Sequence, residues 1–143
     1  MKTSFSEAIE FTFRAEGFYS DNARDPGGET ILGISSHYWP REYAIIKDMV
    51  PGDATAYATE FYHRHFWDDL DCDNLTHPLD VVVFDSAVNP GPSWARHTLH
   101  LTQDWKEFLT MREQHYRTAA NSKFLKGLLA RCQALKNKYS KEG

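Results

Sequence analysis

Glu16 is the residue whose type and position first suggest chemistry. From Phe5 onward, apolar or small side chains recur at positions 5, 8, 9, 12 and 13, a spacing that predicts a helix with one buried stripe. Glu16 follows Phe5 by eleven residues and falls on the same helix face. Burial disfavours a charged carboxylate, so a proton is retained closer to neutral pH, as a general acid requires. Two alternatives are escape to solvent at the helix end and pairing with Arg14 or Arg24.

Two more polar side chains follow in a glycine-rich segment. Asp25 begins the run Asp25–Thr30, which contains Gly27 and Gly28. Glycines allow tight turns, which would bring Asp25 and Thr30 back towards the end of the helix that carries Glu16. An acid that faces a second polar group suits glycoside hydrolysis. One group protonates the leaving oxygen, and the other activates water or stabilises the cationic sugar.

Aromatic residues supply possible saccharide contacts, because sugar rings present apolar faces to aromatic rings. The candidates are Tyr19, Tyr38, Trp39 and Trp67. Aromatic residues make up 14% of the chain, so most of them are expected in the core. For Trp67, at a predicted helix end, inward packing is the main alternative.

Metal chemistry has little support in the sequence. His97 and His100 share a helix face with Asp104 one turn further on, a spacing that zinc could use. A structural or solvated histidine pair is the favoured interpretation. No metal and no cofactor are expected.

Several motifs, in order and at consistent separations, resemble those of glycoside hydrolase family 108. Residues Glu16–Tyr19 are similar to its E-G-G-Y element, and Asp25–Ile34 is similar to its D-P-G-G-x-T-x-x-G-I block without gaps. Phe66–Asp68 resembles an aromatic-Trp-Asp element, and Phe84–Pro92 resembles an F-D-x-A-V-N-x-G-P block. The end of the chain, including Phe124–Arg131, is similar to the peptidoglycan-binding segment that usually follows.

The resemblance implies a fold and a set of site residues. The expected fold is a lysozyme-like, predominantly helical α+β fold with a small β-hairpin after the first helix. Glu16 is expected to be the catalytic acid, while Asp25 and Thr30 position water or stabilise the transition state. Asn89 ends a predicted helix and could simply cap it. The resemblance favours instead a hydrogen bond from Asn89 to the sugar or the catalytic water.

The activity implied by the resemblance is hydrolysis of the β-1,4 bond between N-acetylmuramic acid and N-acetylglucosamine. A lytic transglycosylase acting on the same bond is one alternative. Another is a weakly catalytic protein that binds peptidoglycan or assists secretion. The expected partners are peptidoglycan glycan strands, with no nucleic acid and no membrane, and the expected state is a monomer.

The chain departs from the family pattern at three places. Phe18 replaces a second glycine, Leu128 replaces tryptophan, and a glycine-containing stretch after Leu101–Gln103 is missing. The turn-forming run Asn89–Pro92 is the predicted boundary. We predict a catalytic region over 1–92 and a shortened, helical, peptidoglycan-binding-like region over 93–143, packed on the same globule.

Periodicity and turn residues predict the elements that position these side chains. After the first helix, a short strand is expected within 30–35, forming part of a small hairpin. Further helices are predicted over 53–69, from Pro78 to Asn89, over 93–101, over about 105–120, and in a last segment containing Phe124 and Leu135.

Charge and composition limit the remaining classes. The 143 residues carry a net charge of −4, which argues against bulk nucleic-acid binding. Residues 1–105 contain 7 basic and 17 acidic residues, whereas 106–143 contain 9 and 3. The basic end is either a solvated helix face or a surface for an anionic wall polymer. The first residues lack the apolar run of a signal peptide. We therefore expect synthesis in a bacterial cytoplasm and action at the cell wall or periplasm after holin-type or other export, as for a phage endolysin.

Overall fold

The computed structural model describes residues 4–17, 19–21, 28–120 and 122–141, with only the backbone described for 19–21. The chain forms two compact units, Met1–Asp68 and Asp69–Gly143. The family-based division at residue 92 concerns function and stays a prediction.

The first unit combines helices with a small sheet. Its helices are α1 (Ser4–Glu16), α2 (Pro40–Ile46) and α3 (Pro51–Tyr62). The buried stripe of α1 consists of Phe5, Ala8, Ile9 and Thr12, so the helix predicted from its apolar spacing is confirmed. Helix α2 was not predicted, although proline stands at its first turn, where a missing N–H costs nothing.

The sheet contains three antiparallel strands in the order β1 (Tyr19–Asp21), β2 (Glu29–Ile31) and β3 (Ile34–Ser35). Ile31 pairs with Ile34, so only Leu32 and Gly33 join β2 to β3. The segment predicted as one strand therefore contains a complete hairpin. The prediction of a predominantly helical α+β fold with a small hairpin after the first helix is confirmed.

Helix α3 continues into a π-helical turn, His63–Trp67. Its wider spacing is visible in the bond from the Asp68 amide to the His63 carbonyl, at 2.9 Å, because a π-helix pairs residues five apart. Four large aromatic side chains on the last turn of α3 and on the π-helical turn are buried in the core, namely Phe61, Tyr62, Phe66 and Trp67.

The second unit is built around α4 (Leu79–Val88), which is apolar on all sides. Every residue of α4 from Leu79 to Ala87 is buried, as expected of a central helix. Helices α5 and α6 contact α4, and α7 packs against α6. The other elements of this unit are a 3-10 turn (Cys72–Asn74), α5 (Pro92–Leu101), α6 (Trp105–Ala119) and α7 (Ser122–Ser140).

The predicted helices of this unit are confirmed to within a few residues. The Asp104 side chain caps α6 by accepting hydrogen bonds from the amides of Lys106 and Glu107 at 2.9 and 3.1 Å. Within the described part of the chain, no helix is both long and apolar enough to cross a membrane.

Candidate active site

Glu16 is the last residue of α1, at the end of the buried stripe. Its side chain is half-buried. Gly17 follows with a φ of +75°, a conformation that glycine adopts freely at a helix C-terminus. Arg14, one of the two predicted partners of Glu16, instead pairs with Glu10 at 2.8 Å on the exposed face. The other, Arg24, lies outside the described residues.

The turn between β2 and β3 lies beside the Glu16 carboxylate. Leu32 and Gly33 have φ values of +50° and +81°, which is the pattern of a two-residue type I′ hairpin turn. A β-carbon placed on Gly33 would lie 3.3 Å from Glu16 Oε1 and would overlap the Tyr62 hydroxyl. The absence of a side chain at Gly33 therefore lets the turn approach the carboxylate.

Leu32 is the unusual residue of this turn, because a branched side chain disfavours a positive φ. Two interactions hold it there. Its side chain is only 5% exposed, and its carbonyl oxygen accepts a hydrogen bond from the Tyr62 hydroxyl at 2.7 Å. Strained turns of this kind persist only where surrounding contacts impose them.

Thr30 lies in β2, directly opposite Ser35 in β3. Residues opposite each other in a sheet share a face, so both hydroxyls lie on the same side of the hairpin. The Ser35 hydroxyl accepts hydrogen bonds from the amides of His37 and Tyr38 at 3.1 and 3.0 Å. Thr30 is half-buried and is two residues before the Leu32–Gly33 turn.

The other predicted residues of the first unit have different outcomes. Asp25 lies outside the described residues, as does Phe18. Tyr19 is described only as backbone, where it pairs with Ile31. Trp67 is 1% exposed and packs edge-on against Phe5, with 5.4 Å between ring centroids. Its ring offers no face to a saccharide, so the packing assigns Trp67 to the core, as the alternative interpretation had it.

A groove of about 180 Å³ lies elsewhere in the first unit, between α2 and α3. Among the predicted site residues whose side chains the structure describes, none borders it. Burial, aided by Glu42, raises the pKa of the Tyr57 phenol in its wall. The residues that line it are Glu42, Tyr57, Glu60, Phe61, Arg64 and His65.

Asn89 lies in the second unit, at the C-terminal end of α4, and is half-buried. Its backbone carbonyl and its side-chain Oδ1 both accept from the Tyr116 hydroxyl at 2.8 Å. The side chain is therefore fixed by a residue of α6, 27 positions away in the sequence.

A buried ionic cluster underlies Asn89, and the sequence did not reveal it. Asp85 of α4 is fully buried and pairs with Arg112 at 2.9 Å and with Arg131 at 2.7 Å. Burial, the largest effect, lowers the pKa of Arg112, but Asp85 together with Tyr116 and Cys132 raises it by more, so the pKa lies above its usual value. The sequence shows the motif that contains Asp85 and the i, i+4 spacing of Arg112 and Tyr116, but not that these side chains meet.

Comparison with known proteins decides the family. The sequence profile of glycosyl hydrolase 108 matches residues 9–91, more than half of the chain. The chain belongs to glycosyl hydrolase family 108. The family match includes Glu16, Thr30 and the α4 segment up to Asn89.

Two further comparisons complete this result. The structure matches that of Brucella abortus SagA with a TM-score of 0.76 and 24% sequence identity, covering 94% of this chain and 92% of that chain. A search of curated proteins gives no match. As a member of family 108 the chain is a glycosidase, and the lysozyme-like fold expected from the sequence is confirmed.

Proposed function

We propose that this family 108 member is a muramidase that hydrolyses the β-1,4 bond between N-acetylmuramic acid and N-acetylglucosamine in peptidoglycan, with Glu16 as the general acid. The supporting observation is the placement of Glu16 at the end of α1, half-buried and facing the side-chain-free Gly33. The carboxyl group is thus partly shielded from solvent, beside a close turn of the backbone, within the segment that matches the family.

In the proposed reaction, Glu16 donates its proton to the glycosidic oxygen as the C1–O bond breaks. The sugar ring then carries positive charge at C1. Water supplies the hydroxyl that ends there and gives its other proton to a carboxylate, Asp25 in an inverting reaction or the deprotonated Glu16 in a retaining one. We assign Thr30 and Asp25 to positioning that water or stabilising the cation. A carboxylate separation of about 5–5.5 Å between Glu16 and Asp25 would indicate retention of configuration, and about 6.5–9.5 Å inversion.

The matched pair Glu16→Gln and Glu10→Gln tests the acid. Glu10 lies on the same helix, exposed and paired with Arg14, so its substitution controls for a lost charge on α1. General acid catalysis contributes about 10²–10⁴ in rate. We therefore expect Glu16→Gln to lower the rate of peptidoglycan clearing by at least about a hundredfold and Glu10→Gln to leave it unchanged. A folded Glu16→Gln protein with full activity would contradict the proposal.

Mass analysis of the released fragments distinguishes the chemistry. Hydrolysis gives reducing ends that have gained one water. Fragments lighter by one water would show that a muramic acid hydroxyl attacks C1, as in a lytic transglycosylase. Cosedimentation with sacculi but no soluble fragments would show binding without cleavage.

A further inference from the structure

The second unit contains a continuous chain of hydrogen bonds that ends at Asn89. It begins at the buried Asp85 carboxylate, whose Oδ2 accepts from Arg112 Nη2 at 2.9 Å. Arg112 is fully buried in α6, and its Nε donates to the Tyr116 hydroxyl at 3.0 Å. The Tyr116 hydroxyl then lies 2.8 Å from both Asn89 oxygens. Each group in this chain fixes the next.

Arg131 completes the support from a third helix. From α7 it donates Nη2 to Asp85 Oδ1 at 2.7 Å and Nε to Asp85 Oδ2 at 2.9 Å. Asp85 is thus held by two arginines and cannot rotate without breaking buried ion pairs, which is costly. Asn89 is therefore connected to a rigid part of the unit.

Tyr116 is suited to act as the donor in this chain. Burial raises the pKa of its phenol, although Arg112 opposes this effect, so the hydroxyl keeps its proton at neutral pH. The Tyr116 hydroxyl oxygen accepts a hydrogen bond from the charged Arg112 Nε–H group. Accepting such a bond polarises the hydroxyl and makes it a stronger donor.

The bond to Asn89 Oδ1 determines which end of the carboxamide remains available. Oδ1 is used by Tyr116. Among the described residues, none accepts a hydrogen bond from the Asn89 Nδ2 amino group, and the side chain is half-buried rather than enclosed. An oriented amide donor of this kind is a typical saccharide contact, because it matches hydroxyl and acetamido oxygens.

We propose that Tyr116 is a positioning residue for substrate binding, which holds the Asn89 carboxamide so that its Nδ2 group donates to an acceptor oxygen of the glycan. This inference rests on the proposed function, since it identifies a substrate contact of the same enzyme. Without the Tyr116 hydroxyl, Asn89 can rotate, and the glycan must immobilise it on binding. Such preorganisation affects affinity rather than the chemical step.

The experiment measures binding of soluble, uncrosslinked glycan-strand fragments by calorimetry in a Glu16→Gln background, in which cleavage is too slow to disturb the measurement. Removing the hydroxyl with Tyr116→Phe should weaken binding about three- to tenfold. Asn89→Ala should weaken it at least as much. The double variant should bind like Asn89→Ala alone, because Tyr116 acts through Asn89. In the cleaving protein, Tyr116→Phe should raise KM by a similar factor and change kcat less than twofold.

Tyr139→Phe is the matched control. Tyr139 is as buried as Tyr116, in the same unit, and packs against His77 and Trp105. It should lose some stability and leave glycan binding unchanged. The same thermal unfolding measurement on every variant separates folding from binding.

Three results would overturn the inference: independent, additive effects of Tyr116→Phe and Asn89→Ala; a Tyr116→Phe protein with lower stability but normal binding; or fragments that do not bind at all. Loss of cleavage on Glu16→Gln together with normal glycan binding by Asn89→Ala would refute the positioning role and leave the proposed function standing. Fragment binding without cleavage by the unmodified chain would refute the proposed function and leave the positioning role standing.

Discussion

The Tyr62 hydroxyl donates a hydrogen bond to the Leu32 carbonyl across 2.7 Å and 30 residues of sequence. Tyr62 is buried in α3, whereas Leu32 lies in a turn whose backbone is unfavourable for its side chain. The bond therefore offsets part of the cost of that turn. Because Gly33 of the same turn faces Glu16, the position of the proposed acid depends on α3 as well as on α1.

Gly33→Ala is expected to damage both stability and activity. Its φ of +81° disfavours any side chain, and the new β-carbon would overlap the Tyr62 hydroxyl and crowd Glu16. We expect a loss of about 2 kcal/mol or more in the free energy of unfolding, measured by urea denaturation. Peptidoglycan clearing should fall even where the protein is folded.

Gly52→Ala is the control for that substitution. Gly52 lies in α3 of the same unit, and a β-carbon there would have open space. Alanine favours a helix over glycine by about 1 kcal/mol, so this variant should be as stable as the parent or more so. Equal effects of the two substitutions would contradict the role assigned to Gly33.

Asp85→Asn should be among the most destabilising single substitutions in the second unit. It removes the anion that the fully buried Arg112 and the largely buried Arg131 both bind, at a cost of about 3–5 kcal/mol. Asp69→Asn removes the partner of Arg96 in a half-exposed pair and should cost less than about 1 kcal/mol. Chemical denaturation of both variants tests this difference. Similar losses of stability in the two variants would show that the buried Asp85 cluster contributes no more than the half-exposed Asp69–Arg96 pair.

Alkaline pH should destabilise the second unit. Burial raises the pKa of the Cys132 thiol and of the Tyr116 phenol, so the folded protein holds both protons to a higher pH than the unfolded chain does. Below the unfolded pKa values, about 8.5 for the thiol and about 10 for the phenol, both groups are protonated in the folded and in the unfolded protein. There they add no pH dependence to the free energy of unfolding. Stability is then lost as the pH rises from there through the folded values. We expect the free energy of unfolding to be constant from about pH 7 to 8 and to fall above about pH 9.

Cys132→Ala tests the first part of that loss. The variant should be less stable at neutral pH because it leaves a small cavity. Its free energy of unfolding should decline less between about pH 8.5 and 9.5, because the thiol no longer titrates. A stability that rises over this range would contradict the assignment.

The basic helix α7 should contribute to wall binding through Lys123 and Lys126, which are exposed. Each exposed charge contact contributes about 0.2–1 kcal/mol, so replacing both with glutamine should weaken sacculus binding roughly two- to thirtyfold at low salt. The effect should shrink at high salt, where such contacts are screened. Cosedimentation across a salt series measures it.

The matched control replaces two exposed cations, Arg41 of α2 and Lys47 directly after it, with glutamine. It removes the same charge outside the basic end. Unchanged binding by the Lys123 and Lys126 variant, or equal weakening by the control, would return the basic end to a solvated helix face. Arg131→Gln should instead lower stability, because Arg131 is 8% exposed and bound to Asp85.

The sequence predicted α1 and the position of Glu16 because both follow from helical periodicity. It predicted one strand where the structure has a hairpin. A two-residue turn with positive φ is normally recognised by the sequence Asn-Gly or Asp-Gly, which is missing here. Leu32 carries no such signal. Its conformation is imposed by Tyr62 and by burial of its side chain, which are contacts distant in the sequence.

The basic end contains cations with different roles that the sequence alone does not distinguish. Lys126 and Arg131 each count as one positive charge in the sequence. In the structure Lys126 is exposed, whereas Arg131 binds the buried Asp85 carboxylate, 46 residues away in the sequence. Only the packing of α4, α6 and α7 distinguishes them. The motif around Asp85 and Asn89 was visible in the sequence, but the contacts that Arg112 and Arg131 make with Asp85 were not.

The π-helical turn His63–Trp67 makes chain length in this segment more critical than composition. It holds one residue more than an α-helical turn, so a single deletion here would restore α-helical spacing and rotate the next residues by about 100°. Phe66 and Trp67, both now in the core, would lose their places together. The exposed Arg64 can therefore be exchanged for many residues but cannot be removed.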